Sequence, residues 1–197
     1  MNKERTSTVK RKTAETDIQL TLSLDGNGEA KTETGVGFLD HLLTTLARHA
    51  GFDVKLTCAG DLGVDDHHTV EDCAIVLGEA IDQALGERRG IIRFGWSLVP
   101  MDEALARAAV DLSGRGLAVV RLGLSGQSLG AMKAENVAHA LHSLARAAKA
   151  TMHVDVLRGE NDHHLAEAAF KALALALRQA VALAGDDRIP STKEKLT

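Results

Sequence analysis

Tyrosine is absent from this chain of 197 residues, and aromatic residues make up only 3% of it. Proteins that bind single-stranded nucleic acid stack bases on aromatic faces, and duplex binders present basic stretches. The chain has no basic run, and its net charge is −4. No nucleic-acid partner is expected. Cysteine is nearly as scarce. Cys58 and Cys73 form no CxxC or zinc-ribbon spacing, and they read as buried, reduced thiols of a cytoplasmic protein. The N-terminal MNKERTSTVKRKTAET lacks the apolar stretch of a signal peptide. The most apolar segment, AFKALALALRQAVALA, is cut by Lys171 and Arg178 and is too short to span a bilayer. No membrane partner is expected. There is no GxSxG elbow, P-loop, dinucleotide fingerprint or HExxH. Glycines such as that of DLGVDD read as turns.

About 45% of the residues are apolar, enough for a sizeable core in one domain or in two small halves that share one. DIQLTLSL alternates apolar and polar residues, with Ile18, Leu20, Leu22 and Leu24 on one face of a half-buried strand. DGNG follows as a hairpin turn and EAKTETG as the return strand. FLDHLLTTLARHAG repeats Leu39, Leu42, Leu43 and Leu46 at helical spacing and stops at Gly51. FDVKLTC is a strand. A second helix runs from about Asp66 to Leu85, capped by Asp65 or Asp66 and ended by Gly86.

The chain then repeats itself. HLLTTLARHA from His41 aligns without gaps to HALHSLARAA from His139, and DHHTVEDCAIVLGEAIDQAL aligns to DHHLAEAAFKALALALRQAV. DGNG at 25–28 matches SGRG at 113–116. By alanine content alone DEALARAAVDL is helical, but the repeat sets it opposite DIQLTLSL and makes at least its later part a strand. The second half carries an extra loop, LSGQSLGAMK. The expected fold is α+β and internally duplicated, with four helices sandwiched between two mostly four-stranded sheets. Its expected parts are an N-terminal tail (1–8), a first half (9–93), a second half (94–184) and a C-terminal tail (185–197).

The chemistry lies in the repeated HHxxE. Residues four apart share a helix face, and residues three apart nearly do, so Glu71 can share a metal with His67 or with His68. The adjacent histidines stand about 100° apart around the axis and are unsuited to one ion. Each HHxxE helix therefore reads as serving two metals. His41 and His139 sit at matching positions of the two halves. Six imidazoles and two carboxylates divide into two sets of three His and one Glu. Such a set, without thiolate, suits Mn, Fe, Zn or similar ions. His49 lies two turns beyond His41 on the same face, whereas His142 and His153 lack repeat partners and read as structural. Arg93 in IIRFG and Arg115 in LSGRG are candidates for an anion, because a guanidinium fork matches phosphate oxygens.

With these motifs, RKTAETDIQLTLSLDGNG, TGVGFLDHLL, RFG, PMDEALARAAVDLSGRG and NVAHALHSLA make the chain resemble the imidazoleglycerol-phosphate dehydratases of histidine biosynthesis over residues 9–193. The resemblance is to the monofunctional form. It implies two Mn²⁺ ions held by His41, His67, His68, Glu71, His139, His163, His164 and Glu167. It implies that Glu15 acts at the substrate as acid/base, with Glu167 beside it among the catalytic groups. It places His49, Arg93, Arg115, Ser191 and Lys193 in substrate contact. It implies a homo-oligomer of 24 subunits, with sites between subunits and the repeated halves completing one another's metal shells. In such a reaction D-erythro-imidazoleglycerol phosphate loses water to give imidazoleacetol phosphate. The proton removed is not next to a carbonyl, so the substrate's own ring must take up the electrons. One departure stands out. The family tail reads STKG or SSKG, whereas this chain has STKEK, with Glu194 in the glycine position and Lys195 as a substitute cation. Two other classes compete for these ligands: a dinuclear metallohydrolase, which draws on more carboxylates, and a metal-storage bundle, which needs no phosphate clamp.

Overall fold

The computed structural model describes residues 4–196; the outermost residues of both tails, 1–3 and 197, lie outside the described residues. Strands β1 (Thr6–Lys12), β2 (Thr16–Ser23), β3 (Ala30–Glu33) and β4 (Asp53–Gly60) form one four-stranded sheet in the order β1-β2-β4-β3. Helices α1 (Gly37–Ala50) and α2 (His67–Leu85) complete the first half. The second half repeats the plan. Strands β5 (Phe94–Met101), β6 (Ala104–Asp111), β7 (Leu117–Arg121) and β10 (Thr151–Arg158) form a sheet in the order β5-β6-β10-β7, with helices α3 (Ala134–Ala147) and α4 (Asp162–Val181). The extra loop carries a small hairpin, β8 (Ser128–Leu129) and β9 (Met132–Lys133). The helices lie between the two sheets: α2 against β1 and β2, α4 against β5 and β6, with α1 packed on α4 and α2 on α3.

Alternation builds the first sheet. Ile18, Leu20 and Leu22 of β2 are buried while Asp17, Gln19 and Thr21 are exposed. The DGNG segment does not close a hairpin between β2 and β3. Instead β4 sits between them, antiparallel to β2 and parallel to β3. The reason is burial. Val54 and Leu56 of β4 stand opposite Leu22 and Leu20 and extend their apolar face, whereas AKTE of β3 has no fully buried residue. Asp53 Oδ1 fixes the turn by accepting the N–H groups of Asn27 (2.8 Å) and Glu29 (2.9 Å).

All of β6 is strand, not only its later part. Ala104, Ala106, Ala108 and Val110 are buried in alternation, so tertiary packing overrides the helical preference of alanine. Besides the short hairpin of the extra loop, two strands of the main sheets are not evident from the sequence. β1 takes in residues 6–8, assigned above to the tail, and β5 fills the stretch where the halves meet. β1 buries only Val9, and β5 exposes Phe94, Trp96 and Leu98, so neither shows a buried apolar alternation. Gly78 lets α2 approach α3. A Cβ there would lie 2.6 Å from the Ala147 side chain and 2.7 Å from the backbone nitrogen of Ala148.

Candidate metal centre

Helix ends position the histidines. Helix α2 begins at His67. Asp66 flanks it without capping it through its side chain, while Asp65 Oδ1 accepts the His67 N–H at 2.8 Å. Asn161, the repeat counterpart of Asp65, accepts the N–H groups of His163 (2.9 Å) and His164 (3.3 Å). The buried Asp66 carboxylate turns instead to α3, where it accepts from Asn136 Nδ2 and from the Lys133 N–H, both at 2.9 Å.

Two clusters result, and each joins the first helix of one half to the second helix of the other. His41 on α1 meets His163 and Glu167 on α4, and His139 on α3 meets His67 and Glu71 on α2. Within each cluster the candidate ligand atoms lie within 4.8 Å of one another. Glu167 Oε2 stands 2.8 Å from His41 Nε2 and 3.1 Å from His163 Nε2, and Lys171 Nζ lies 2.8 Å from Oε1. Burial opposes ionisation of Glu167, yet hydrogen bonds from Lys171 and His41 outweigh it and bring its pKa down to about 2. In the other cluster Glu71 lies 3.3 Å from His139 Nε2 and 4.0 Å from His67 Nε2. His139 Nε2 is buried and makes no hydrogen bond, its approach to Glu71 being misaligned for one.

The remaining histidines of the pairs stand outside these clusters. The rings of His67 and His68 are 79° apart and those of His163 and His164 are 88° apart, so neighbours in sequence face different directions. His68 Nδ1 is 3.0 Å from Asp61 Oδ2, and its Nε2 is 3.6 Å from Glu15 Oε1. The Asp61 hydrogen bond raises the His68 pKa above its ordinary value. His164 Nδ1 is 2.7 Å from Glu103 Oε2, which raises its pKa likewise. His67 Nδ1 is 3.1 Å from Asn136 Oδ1. Oxygen partners at Nδ1 hold three of the rings so that Nε2 is the atom left to coordinate. Converging Nε2 atoms, one carboxylate per cluster, no thiolate and an unsatisfied His139 Nε2 fit a divalent cation at each cluster.

Glu15 is exposed in the β1–β2 loop, which is firmly held. Thr13 Oγ1 accepts the N–H groups of Glu15 (3.1 Å) and Thr16 (3.0 Å), and Thr16 Oγ1 donates to the buried Asp72 at 2.5 Å. His49 sits on α1 close to the Glu167 cluster. Burial lowers its pKa, and the Lys171 ammonium adds to the effect. Arg93, Arg115, Ser191, Lys193, Glu194 and Lys195 all line one cavity of about 1070 Å³ formed with the C-terminal tail. Arg93 is clamped there. It donates to both oxygens of Asp111 at 2.7 and 3.2 Å and to the Pro190 carbonyl at 2.7 Å, at a backbone φ of 75°. Glu194, in the tail position held by glycine in the family pattern, has φ 55°. Glycine adopts that region without steric cost and Glu does not.

The fold and both clusters now stand beside known proteins. The family model for imidazoleglycerol-phosphate dehydratase matches residues 34–177. The chain belongs to the imidazoleglycerol-phosphate dehydratase family. It is 53% identical to the imidazoleglycerol-phosphate dehydratase of Chlorobaculum parvum over 193 residues, covering 98% of this chain and 99% of that protein. It is 57% identical to that of Chlorobium luteolum over 189 residues, 96% of this chain and 94% of the other. The crystal structure of the Pyrococcus furiosus enzyme in complex with (S)-C348 superposes with a TM-score of 0.83 at 37% identity, covering 95% of this chain and all of that one. Among the described residues, no helix is long and apolar enough to cross a membrane.

Asp61, Asn136, Glu103 and Lys171 escaped the sequence reading. Asp61 lies in a loop with no motif, and Asn136 opens NVAHALHSLA without a ligand spacing of its own. Glu103 had a signal: the alignment of DGNG with SGRG also sets Glu15 against Glu103. Lys171 stands four residues after Glu167 on the same helix face, where the first half has Ile75.

Proposed function

We propose that this chain dehydrates D-erythro-imidazoleglycerol phosphate to imidazoleacetol phosphate in histidine biosynthesis, in the cytoplasm, with two Mn²⁺ ions per site. The observation that carries this reading is the pair of Nε2/carboxylate clusters on repeat-equivalent helices of a family member. When bound, the two cations supply Lewis-acid stabilisation for the anionic form of the substrate ring. The chain's own residues do the rest. Glu15, on its braced loop, gives a proton to the hydroxyl on the ring-attached carbon, which leaves as water, and takes the proton of the next carbon, so that the resulting enol tautomerises to imidazoleacetol phosphate. Arg93, Arg115, Ser191 and Lys193 grip the phosphate in the tail cavity and so fix the reacting end. His49 lines the approach beside Glu167.

Each cluster holds two His and one Glu from one chain. The three-His, one-Glu set then requires His68 and His164 from another copy. The exposed apolar residues of β5, Phe94, Trp96 and Leu98, also favour association between copies, in our reading into a 24-mer. A dinuclear hydrolase is less well supported, since each cluster gathers only one carboxylate.

The test is turnover of imidazoleglycerol phosphate by metal-stripped and Mn²⁺-reloaded protein, with metal counted by elemental analysis. Reloading should restore activity. A fully loaded chain without dehydratase turnover overturns the reading. Ligating imidazoles must be deprotonated, so acid through the histidine range of about pH 6.5, or a chelator, should release metal and shrink the particle in light scattering. Unchanged particle size defeats metal-dependent assembly.

A further inference from the structure

Glu103 is the repeat counterpart of Glu15, but it is wired differently. Glu15 sits in the β1–β2 loop, residues 13–15, braced by Thr13 and Thr16, and its carboxylate faces the Nε2 side of His68 at 3.6 Å. Glu103 sits in the tight β5–β6 turn, directly before Ala104, which pairs with Met101. Asp102 beside it has φ 47°. That geometry drives the Glu103 carboxylate to the other side of its histidine. Oε2 meets His164 Nδ1 at 2.7 Å, while Oε1 accepts the backbone N–H groups of Asn161 (2.9 Å) and Glu160 (3.2 Å) at the start of α4. Every partner of this carboxylate is therefore a donor.

We infer that Glu103 is a positioning residue: by accepting from His164 Nδ1 while anchored to the start of α4, it fixes the Nδ1–H tautomer and presents Nε2 of His164 to a metal. This rests on the dehydratase reading above for the metal, but not for the tautomer. In the first half the same task falls to Asp61, which accepts at His68 Nδ1, and this leaves Glu15 free on the Nε2 side. One member of the duplicated carboxylate pair thus serves the reaction, and the other aims a ligand.

Glu103→Gln separates this role from helix capping. An amide has one acceptor oxygen. If that oxygen stays on the Asn161 and Glu160 N–H groups, the amide N–H₂ points at His164 Nδ1 and enforces the Nε2–H tautomer, which cannot ligate. If it turns to His164, the N–H₂ opposes two backbone donors. In metal-free protein carrying ¹⁵N-labelled histidine, about two pH units above the ordinary imidazole pKa of about 6.5, His164 should read as Nδ1–H in wild type and lose that signature in E103Q. Wild type should bind two Mn²⁺ per chain, and E103Q should bind the ion that uses His164 about 10–100-fold more weakly. On a His164→Gln background, E103Q should remove no further affinity. Should E103Q fold poorly, Glu103→Asp, which keeps both oxygens on a shorter arm, should show a smaller loss of the same kind. An Nδ1–H tautomer retained in E103Q, or wild-type metal affinity in both variants, overturns the inference. A wild-type chain that binds no Mn²⁺ would instead sink the metal reading, and the tautomer experiment would still decide the role of Glu103.

Discussion

Glu71 and Glu167 hold the same place in the repeat, yet their surroundings differ. Glu167 is buried, takes His41 and His163 on one oxygen and Lys171 on the other, and has its pKa drawn down to about 2. Glu71 has Ile75 in place of the lysine. It stands 3.3 and 4.0 Å from its two imidazoles and leaves His139 Nε2 without a hydrogen bond. The supports differ as well. Asn136 accepts at His67 Nδ1, whereas the equivalent Phe38 offers His163 only the edge-on contact of a ring, centroid to centroid 5.1 Å. The α1–α4 cluster is thus satisfied by its own charges before metal arrives, and the α2–α3 cluster is held open. A duplicated ligand set need not have duplicated energetics.

The comparison breaks hardest at the carboxylates. Glu71→Ala and Glu167→Ala should each lower turnover by more than about 1000-fold, the loss of several kcal/mol of metal-borne stabilisation. They should differ in metal-free protein. Glu167→Ala strands the partly buried Lys171 and should cost a further 1–3 kcal/mol or about that, while Glu71→Ala should cost much less. Equal melting shifts for the two would erase the distinction. The halves separate next at their loop carboxylates. Glu15→Gln should lower kcat by about 100-fold or more with metal content intact, the reverse of the pattern expected for Glu103. Near-wild-type turnover in a loaded Glu15→Gln protein removes Glu15 from the reaction. Asn136→Ala comes third. It withdraws the oxygen that orients His67 and should weaken one Mn²⁺ by about 10-fold in calorimetric titration. Phe38→Ala should leave metal affinity nearly unchanged.

Much of this was legible in sequence, for reasons that are physical. Helical spacing gave α1 and α2, and Gly51 gave the end of α1. The gapless alignment of the two HHxxE helices turned a weak local motif into a paired device and rescued β6 from its alanine content. Pairing across the halves was not legible, because an alignment relates α1 to α3 and is silent on α1 meeting α4. The DGNG turn misled because a turn fixes chain reversal, not which strand fills the next place in the sheet. There the apolar faces of Val54 and Leu56 decided. Glu194 was visible as a departure, but the left-handed φ that explains why glycine suits the position needed coordinates.

The smallest effect sharpens the comparison most cleanly. Lys171→Met gives Glu167 the apolar neighbour that Glu71 has in Ile75, without touching a proposed ligand. In metal-free protein near neutral pH it should cost about 1 kcal/mol, the scale of a pair that solvent still reaches. Its pH dependence has a definite sign. The pKa of Glu167 is lowered from 4.5 to about 2 on folding, so the stabilisation it reports is present above 4.5 and fades as pH falls towards 2. The gap in melting temperature between wild type and Lys171→Met should therefore be full at neutral pH and narrow below about 4.5. A gap that stays constant into acid would mean that the lysine acts through packing of its methylene stem. The difference between the two clusters would then be one of shape and not of charge.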